Sequence, residues 1–590
     1  MKERSVSRRD FLRGAGTVGV AAGAMAALGG AGVAVAAEEA AEAGENAYGL
    51  ACDTTWVPVR KAACPGPRGP VGFEDREIAA DELAATEDCD LVVVGAGIAG
   101  LMAALKGAEE GASVICVEKM TRGRGCFECF GAVNAKCQEG TEINKVHLID
   151  EMHRAAYWRV RPEPIRTYVD RSGEATDFWQ AMLDKGANGF VITKVEQAPS
   201  SNGMPAVTPL IDTELGFYDS PCLPPDAGVR SGYSGIYVCL EMQEVAKQYD
   251  NLELRFSTPA VQLIREGDNA GRVTGVVASH TDGTEGYTLF NGTYIVLATG
   301  DYSTDKEMLA CYCPEALQYV GFEQTETDYN TSFQMGGIYG GDGQKMGLWA
   351  GAAWQHAEAA PMYQGGWGGG HEPCGFHWGL NVNARTERYQ REDVSAPYTA
   401  HYLLSQPDNI AYGIWTKNYP QTIIDRGQEW FLFGSDYTLP PKTAEEMIAI
   451  WDAGVEEGAY WKADTLDELA DQLGLDAAKL KDVVARYNEL CKKGVDEDFM
   501  KSPEYLIPVK NPPFYAFNEK WVFVCSIAGV HTNDKFQVLN ADHEVIPGLF
   551  AAGNTVGRRF GYAYESSGMG MSNSQAMVAG YVAGETAAKA

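Results

Sequence analysis

Asp90-Leu-Val-Val-Val-Gly-Ala-Gly-Ile-Ala-Gly100 narrows the choice of fold more than any other stretch of this chain. Residues 91–94 are an unbroken β-branched and aliphatic run, the composition of a strand buried on both faces of a parallel sheet. Gly95, Gly97 and Gly100 follow in G-x-G-x-x-G spacing. Residues 101–110 then read as a helix and 112–117 as a second strand, ending at Glu118. Gly95 suits the tight turn, Gly97 the approach of backbone to a pyrophosphate, and Gly100 the packing of helix on strand. Ile98 and Ala99 open the helix, whose free N–H groups and positive dipole end favour phosphate. Glu118 stands where a carboxylate accepts hydrogen bonds from a ribose diol. A lone glycine triplet is a weak signal. Strand, glycines, helix, strand and acid in this order predict an α/β dinucleotide-binding domain.

The N-terminal residues bear on where such a domain works. Ser7-Arg8-Arg9-Asp10-Phe11-Leu12 precedes small apolar residues and an Ala-Val-Ala site ending at Ala36, the pattern of a twin-arginine export leader over 1–37. The apolar stretch is rich in Gly and Ala, too weakly hydrophobic for a good membrane anchor. The expected location is periplasmic, or the outer face of the cell envelope. Formal charge is −32 over 590 residues. That balance disfavours nucleic acid and anionic membrane surfaces as partners, and the length calls for two or three domains.

Fourteen cysteines leave two readings open. Cys126-x-x-Cys129 with Cys137, and Cys311-x-Cys313, have spacings that an iron–sulfur cluster or metal could use, but free thiols in an anaerobe's protein are the simpler expectation. No metal site is expected. The chain has no Cys-x-x-Cys-His, so any haem must sit on a partner.

Residues 38–87 read as a low-order spacer, acidic and then rich in Pro, Gly and Ala. A glycine-bearing loop from Arg122 through Gly125 and Cys126 to Gly131-Ala132 follows the first unit. Helices are expected over 144–157 and 164–185, and a small antiparallel sheet over 252–297 with an Asp282-Gly283 turn. Tyr294-Ile-Val-Leu-Ala-Thr-Gly300 reads as a strand entering a glycine turn, and Gly341-Asp342-Gly343 as a helix start.

Taken together, Val93-Val-Gly-Ala-Gly-Ile-Ala-Gly100, Val117-Glu-Lys119, Leu297-Ala-Thr-Gly300, Gly341-Asp-Gly343 and Ile546-Pro-Gly-Leu-Phe-Ala-Ala-Gly-Asn554 resemble the fumarate reductase flavoprotein family. That family includes urocanate reductases and 3-ketosteroid Δ1-dehydrogenases. Leu380-Asn-Val-Asn383, Arg388-Tyr-Gln-Arg-Glu392 and the helical stretch from Thr465 to Asn488 add to the resemblance, which covers about 88–590. It implies an α/β fold: a Rossmann-like FAD-binding domain split in sequence (88–360 and 521–590), with an inserted α+β capping domain (361–520). FAD is expected to be non-covalent. The resemblance implies cofactor contacts at Gly95, Gly97, Ile98, Ala99, Gly100, Glu118, Lys119, Gly125, Cys126, Gly131 and Ala132. Further contacts are implied at Ala260, Val261, Thr299, Gly300, Asp342, Gly553, Asn554, Gly570, Met571 and Ser572. Asn554 stands where the family usually has an acid facing the ribityl chain.

The departures bear on substrate. Members that reduce fumarate clamp a dicarboxylate with arginines and histidines. Here the family's Gln-x-His-Pro-Thr reads Glu358-Ala-Ala360-Pro-Met362, and the later histidine motif reads Phe523-Val-Cys525-Ser-Ile-Ala-Gly529. The relay acid is matched by Glu392, but the arginine expected a few residues on is absent. Tyr412–Tyr419 offers Lys417 as its one cation, and the last substrate arginine falls within Tyr564-Glu-Ser-Ser567. Without guanidinium forks the site has little means of holding two carboxylates.

The expected reaction is therefore reduction of an activated C=C bond, an enoate or enone other than fumarate, by hydride from flavin N5. Tyr564 is the first candidate acid, Tyr562 the second and a protonated Glu565 the third, with Arg558 or Arg559 lowering a tyrosine pKa and Glu392 in the relay. Trp367, Phe376, Trp378, Tyr363, Tyr398 and Tyr402 either line the pocket or simply pack. Electrons would come from an extracytoplasmic cytochrome or quinol-linked partner. Two alternatives stay open: a dehydrogenase desaturating a ketone-bearing ring such as a 3-ketosteroid, which Ser566 at its tyrosine position weakens, and an exported electron-carrying flavoprotein.

Overall fold

A computed structural model describes residues 78–590 except 124–128, 139–142, 190–191, 196–215, 220–233, 315, 317–338, 356–359, 366–378, 394–400, 427–442, 520, 562–563 and 565–570. All described residues belong to one compact unit, Arg60–Ala590. The leader 1–37 lies outside them, as do Gly125, Cys126, Tyr562, Glu565, Ser566 and Gly570.

The unbroken apolar run at 91–94 becomes the centre of a mixed sheet. It is the second half of β1 (Leu83–Val94), and all four residues are buried. β1 pairs in parallel with β2 (Val114–Val117) on one side and β9 (Tyr287–Leu297) on the other, with Val93 opposite Cys116 and Val296. β6 (Leu252–Arg255) extends the sheet beyond β2, and β17 (Val545–Ala551) lies parallel to β9. β16 (Gln537–Leu539) runs antiparallel on β17. A hairpin of β7 (Ala260–Arg265) and β8 (Val273–Ala278) joins β9 antiparallel. The order is β16-β17-β9-β1-β2-β6. Residues from the two ends of the chain thus share one sheet.

Two expectations need correction. A low-order spacer is expected up to residue 87, yet β1 starts at Leu83 and pairs with β9 from Tyr287 to Gly292 over Leu83–Cys89. Those residues are mostly exposed, so they carry no apolar run that would mark a strand. Residues 252–255 do not join an antiparallel sheet; they form the parallel edge strand β6, whose alternation of Leu with Glu and Arg reflects its edge position.

Helix α1 (Ile98–Glu109) connects β1 to β2 and is buried along nearly its whole length. The C-terminal helix α11 (Met571–Lys589) packs along it through small residues. A Cβ at Gly580 would lie 2.0 Å from the Ala99 carbonyl oxygen, and one at Gly584 2.3 Å from that of Ala103. Between them in sequence come α2 (Lys145–Ala155), α3 (Pro162–Leu183), α4 (Ser234–Ala246), α5 (Lys306–Tyr312) and α6 (Asp342–Trp349). A three-stranded antiparallel sheet, β3 (Cys129–Ala132), β5 (Gly216–Asp219) and β4 (Thr193–Val195), stands beside the start of α11.

The second sheet is wholly antiparallel, in the order β11 (Leu380–Asn383), β12 (Ala411–Thr416), β14 (Phe514–Asn518), β13 (Tyr460–Ala463). One face packs Trp415, Tyr460 and Tyr515 against Trp451 of α8 (Ala444–Glu456) and Tyr419 of α7 (Tyr419–Asp425). The other packs Leu380, Val382 and Ile414 against α9 (Leu466–Leu473) and α10 (Ala477–Lys493). Thr465 and Glu468 form a reciprocal capping box at the start of α9, as the Thr-x-x-Glu spacing favours. The two regions are joined by an antiparallel ribbon of β10 (Ala360–Gly365) and β15 (Trp521–Ile527).

Candidate cofactor and active site

The parallel strands β6, β2, β1, β9 and β17 end on one edge of the main sheet, where α/β folds bind ligands. At β1 the chain turns through Gly95, whose φ of +103° and 2.4 Å approach of a would-be Cβ to the Ala298 carbonyl oxygen both require glycine. A Cβ at Gly100 would lie 1.7 Å from the Gly95 carbonyl oxygen, so the turn and helix touch backbone to backbone. Gly97 caps α1 with no side-chain cap hydrogen bond, leaving the amides of the first turn to a phosphate.

Glu118, at the end of β2, accepts hydrogen bonds from Ala96 N at 2.7 Å and Met120 N at 2.9 Å. Burial pushes its carboxyl above the ordinary range, against the pull of those two amides. One carboxylate oxygen is used by each amide, and the remaining lone pairs are available to a diol. Lys119 pairs with Asp342 at 2.7 Å, tying the end of β2 to the first turn of α6. Thr258 N donates to Glu118 O, which brings the start of β7, with Ala260 and Val261, alongside. Gly131 accepts from Tyr168 Oη, which also lies 3.4 Å from Met571 Sδ, so β3 meets the start of α11.

On the β9–β17 side the turns are cross-linked by a glutamine that the sequence reading did not single out. Gln344 Nε2 donates to Gly300 O at 2.9 Å and Asn554 O at 3.2 Å. Thr299 Oγ1 accepts from Gly343 N, and Thr555 Oγ1 donates to Gly300 O. Asn554, Arg559, Tyr564 and Ser572 converge at the start of α11. Arg559 Nη2 donates to Asn554 Oδ1 and to Ser572 Oγ, and Nη1 to Ser572 O. Tyr564 is buried, and its hydroxyl oxygen accepts from Ser572 N at 3.1 Å. Asp301, directly after the Gly300 turn, is buried and accepts from Ser303 N. It too escaped notice in the sequence, although its place after the Thr-Gly turn could have drawn attention.

Whether these residues fit a flavin can be tested on atoms left over in the protein. Gln344 Oε1, Gln575 Nε2 on α11 and Arg559 Nε are buried and have no partner among the described residues. Buried polar atoms normally find one. An acceptor and two donors left over beside the β9 and β17 turns fit a ring and ribityl chain rich in carbonyls, nitrogens and hydroxyls.

Two of the positions expected to carry the dicarboxylate clamp, Ala360 and Cys525, fall on the ribbon. Ala360 is opposite Ile527, and Met362 is opposite Cys525 with the two sulfurs 3.8 Å apart. Trp354 lies close to Tyr312, their rings stacked at 4.0 Å, with Tyr302 edge-on. Tyr402 is exposed. Trp367, Phe376, Trp378 and Tyr398 lie outside the described residues, and of the Tyr363 side chain nothing is described.

Glu392 is not gathered with Tyr564. It sits in the second region, held by Arg388 through two 2.9 Å hydrogen bonds and by Lys501 at 3.2 Å, with Arg388 also gripping Asp496. Burial alone would raise its pKa, but Lys501 and Arg388 outweigh it and hold the carboxyl below its ordinary range. An acid locked this way is a structural counter-ion first. Beside it, Glu519 at the end of β14 is buried and pushed up to about 8 by burial, with Asn381 as hydrogen-bond partner. Lys417 is exposed.

A family model for the FAD binding domain matches residues 90–571. The chain belongs to that family. It is an FAD-dependent CH–CH oxidoreductase of the fumarate reductase kind, acting on C=C bonds. A vinyl phenol reductase of Lactiplantibacillus plantarum is 27% identical, covering 86% of this chain and 98% of that protein. A urocanate reductase of Eggerthella lenta is 26% identical over 81% of this chain and 71% of its own length. Among solved structures, a 3-ketosteroid-Δ4-(5α)-dehydrogenase from Rhodococcus jostii shares the fold at a TM-score of 0.64 and 22% identity, covering 88% of this chain and all of that one.

Proposed function

We propose that the protein is an exported flavoenzyme that reduces an activated double bond conjugated to an aryl ring or a ketone, in a substrate that is neutral or carries a single negative charge. One observation carries this reading. Met362 and Cys525 face each other on the ribbon where a dicarboxylate clamp would need cations. The nearby guanidinium, Arg559, spends its fork on Asn554 and Ser572. The likeness to a vinyl phenol reductase along nearly its whole length agrees with an uncharged aryl alkene.

FAD, when bound, supplies the hydride to the β-carbon of the alkene. The α1 amides and Gly97 would hold its pyrophosphate, Glu118 its ribose, and Asn554 with Gln344 its ribityl chain. Met362, Cys525 and Ile527 of the ribbon are buried and would exclude water from the reacting carbon. Tyr564 is the group that protonates the α-carbon. Its oxygen already accepts the Ser572 amide at the positive end of α11, and Arg559 is close by, so the phenolate left after proton transfer is stabilised. Tyr562 and Glu565 stay as neighbouring candidates for the same proton.

The decisive experiment reduces the FAD-loaded protein with dye under anaerobic conditions and offers vinyl phenol, an aryl enone, a monoanionic aryl enoate and fumarate. Reoxidation by the first three with a saturated product supports the reading. Desaturation of a ketone-bearing ring under oxidising dye, with no alkene reduced, would establish the reverse enzyme, and no organic acceptor at all would leave an electron carrier. Tyr564→Phe should lower kcat by at least about 10²-fold with KM changed less than threefold, within the usual worth of a general acid. An unchanged kcat removes Tyr564 from the mechanism.

Export and a separate cytochrome or quinol-linked donor belong to the same proposal, on the strength of Arg8-Arg9 and the acidic composition. Arg8→Lys with Arg9→Lys should keep the protein in the cytoplasm with FAD bound, as fractionation and flavin absorbance would reveal. Unimpaired export of that variant would refute the leader assignment.

A further inference from the structure

Arg559 brings a fixed charge to the site whose reach is not limited to Tyr564. It is 3% exposed, and burial pushes its guanidinium down to about 10. Its hydrogen bonds among the described residues go to neutral oxygens of Asn554 and Ser572. Ser572 lies in the first turn of α11, so a fixed cation is pinned against the positive end of a helix. The Asp301 carboxylate attracts it and offsets part of the cost of burying the charge. A fixed cation beside a helix N-terminus still favours an electron-rich group there.

The sheet order says which part of the cofactor arrives there. The pyrophosphate belongs to β1 and α1, and β17 is two strands away, about 10 Å. The ribose belongs to Glu118 on the opposite side of β1. The end of β17 and the start of α11 thus receive the ring end of FAD. Arg559 Nε, buried and without a partner among the described residues, is a donor still available to it.

We infer that Arg559 sets the electron affinity of the flavin: with the N-terminus of α11 it stabilises the negative charge that the ring gains on reduction, and so raises the cofactor's reduction potential. The inference rests on FAD binding and is independent of which alkene is reduced. Nothing in it needs Arg559 to touch substrate.

The test is a spectroscopic redox titration of the FAD-loaded full chain against a reference dye, for wild type, Arg559→Lys, Arg559→Gln and Arg559→Met. Arg559→Met should lower the ratio of reduced to oxidised flavin at a fixed dye poise by at least about tenfold, which is about 30 mV for a two-electron couple. Arg559→Lys, which keeps the charge, should change it less than about threefold. Arg559→Gln keeps a donor for Asn554 and Ser572 without charge and should behave like Met; it carries the test if the Met variant does not load FAD. An unchanged potential in a loaded neutral variant overturns the inference. So does a Lys variant that falls as far as Met, since charge would then not be the cause. A neutral variant with normal potential but weakened turnover of monoanionic substrates alone would make Arg559 a substrate-binding residue instead.

Discussion

Fumarate should be reduced at least about 10²-fold less efficiently, in kcat/KM, than a neutral or monoanionic aryl- or ketone-conjugated alkene, a gap of roughly 2.7 kcal/mol in transition-state stabilisation. The expectation follows from what a dianion meets on entering. Each carboxylate surrenders strong hydration, and only charge-assisted donors offset that loss. Hydrogen bonds to charged groups contribute about 1.5–3 kcal/mol each, so losing even two donors suffices for the gap. Ala360 and Cys525 stand where the family's dicarboxylate members carry imidazoles, and Met362 faces Cys525 across the ribbon. Arg559, a buried guanidinium, has both terminal nitrogens engaged by Asn554 and Ser572. To grip a carboxylate through both terminal nitrogens, Arg559 would have to release Asn554 and Ser572. Steady-state rates with one reduced dye and both substrate classes check this directly; comparable efficiencies would refute the reading of the clamp. The expectation is independent of Tyr564, because it concerns charge on the substrate rather than the source of the proton.

The parts of this molecule that were legible in sequence are those with a repeating physical signature. A continuous apolar run and three spaced glycines predict β1, α1 and β2 because a doubly buried strand and a backbone-to-backbone contact tolerate little else. Likewise Thr465-x-x-Glu468 marks a helix start through a reciprocal capping box, and Gly341 marks another through a left-handed backbone that suits glycine. The exposed half of β1 was illegible because strands facing water need no apolar pattern. In the site, Asn554 and Ser572 were read by position, whereas Gln344 is a single polar residue whose partners, Gly300 and Asn554, are far away in sequence. Glu392 illustrates the opposite failure. Its motif suggests a relay, but Lys501, more than a hundred residues later, turns it into one arm of a buried ionic cluster, and no local pattern announces that partner.

Gly100→Ala, the smallest possible change at that position, should abolish FAD loading. Helix propensity alone argues the other way, since alanine within a helix is favoured over glycine by about 1 kcal/mol. Geometry decides between them. The new methyl would stand 1.7 Å from the Gly95 carbonyl oxygen and 2.8 Å from its carbon, atoms with no rotamer by which to yield. Relief requires α1 to slide away from the turn, yet α1 is confined on its other side by α11, where Gly580 and Gly584 already bring the helices into backbone contact. Ordinary overpacking costs about 1–3 kcal/mol when side chains can adjust; here the displaced element is the helix whose first amides receive the pyrophosphate. Gly111→Ala is the appropriate control. That residue has open space around it but a φ of +95°, so its cost is the strain of a left-handed backbone, about 1–2 kcal/mol, with FAD retained. Flavin-to-protein absorbance ratios and thermal melts of the two purified variants separate the cases. A Gly100→Ala protein with stoichiometric FAD and an unshifted Tm would mean that the helix and turn have room to part, and the close approach that defines this cofactor site would have to be abandoned.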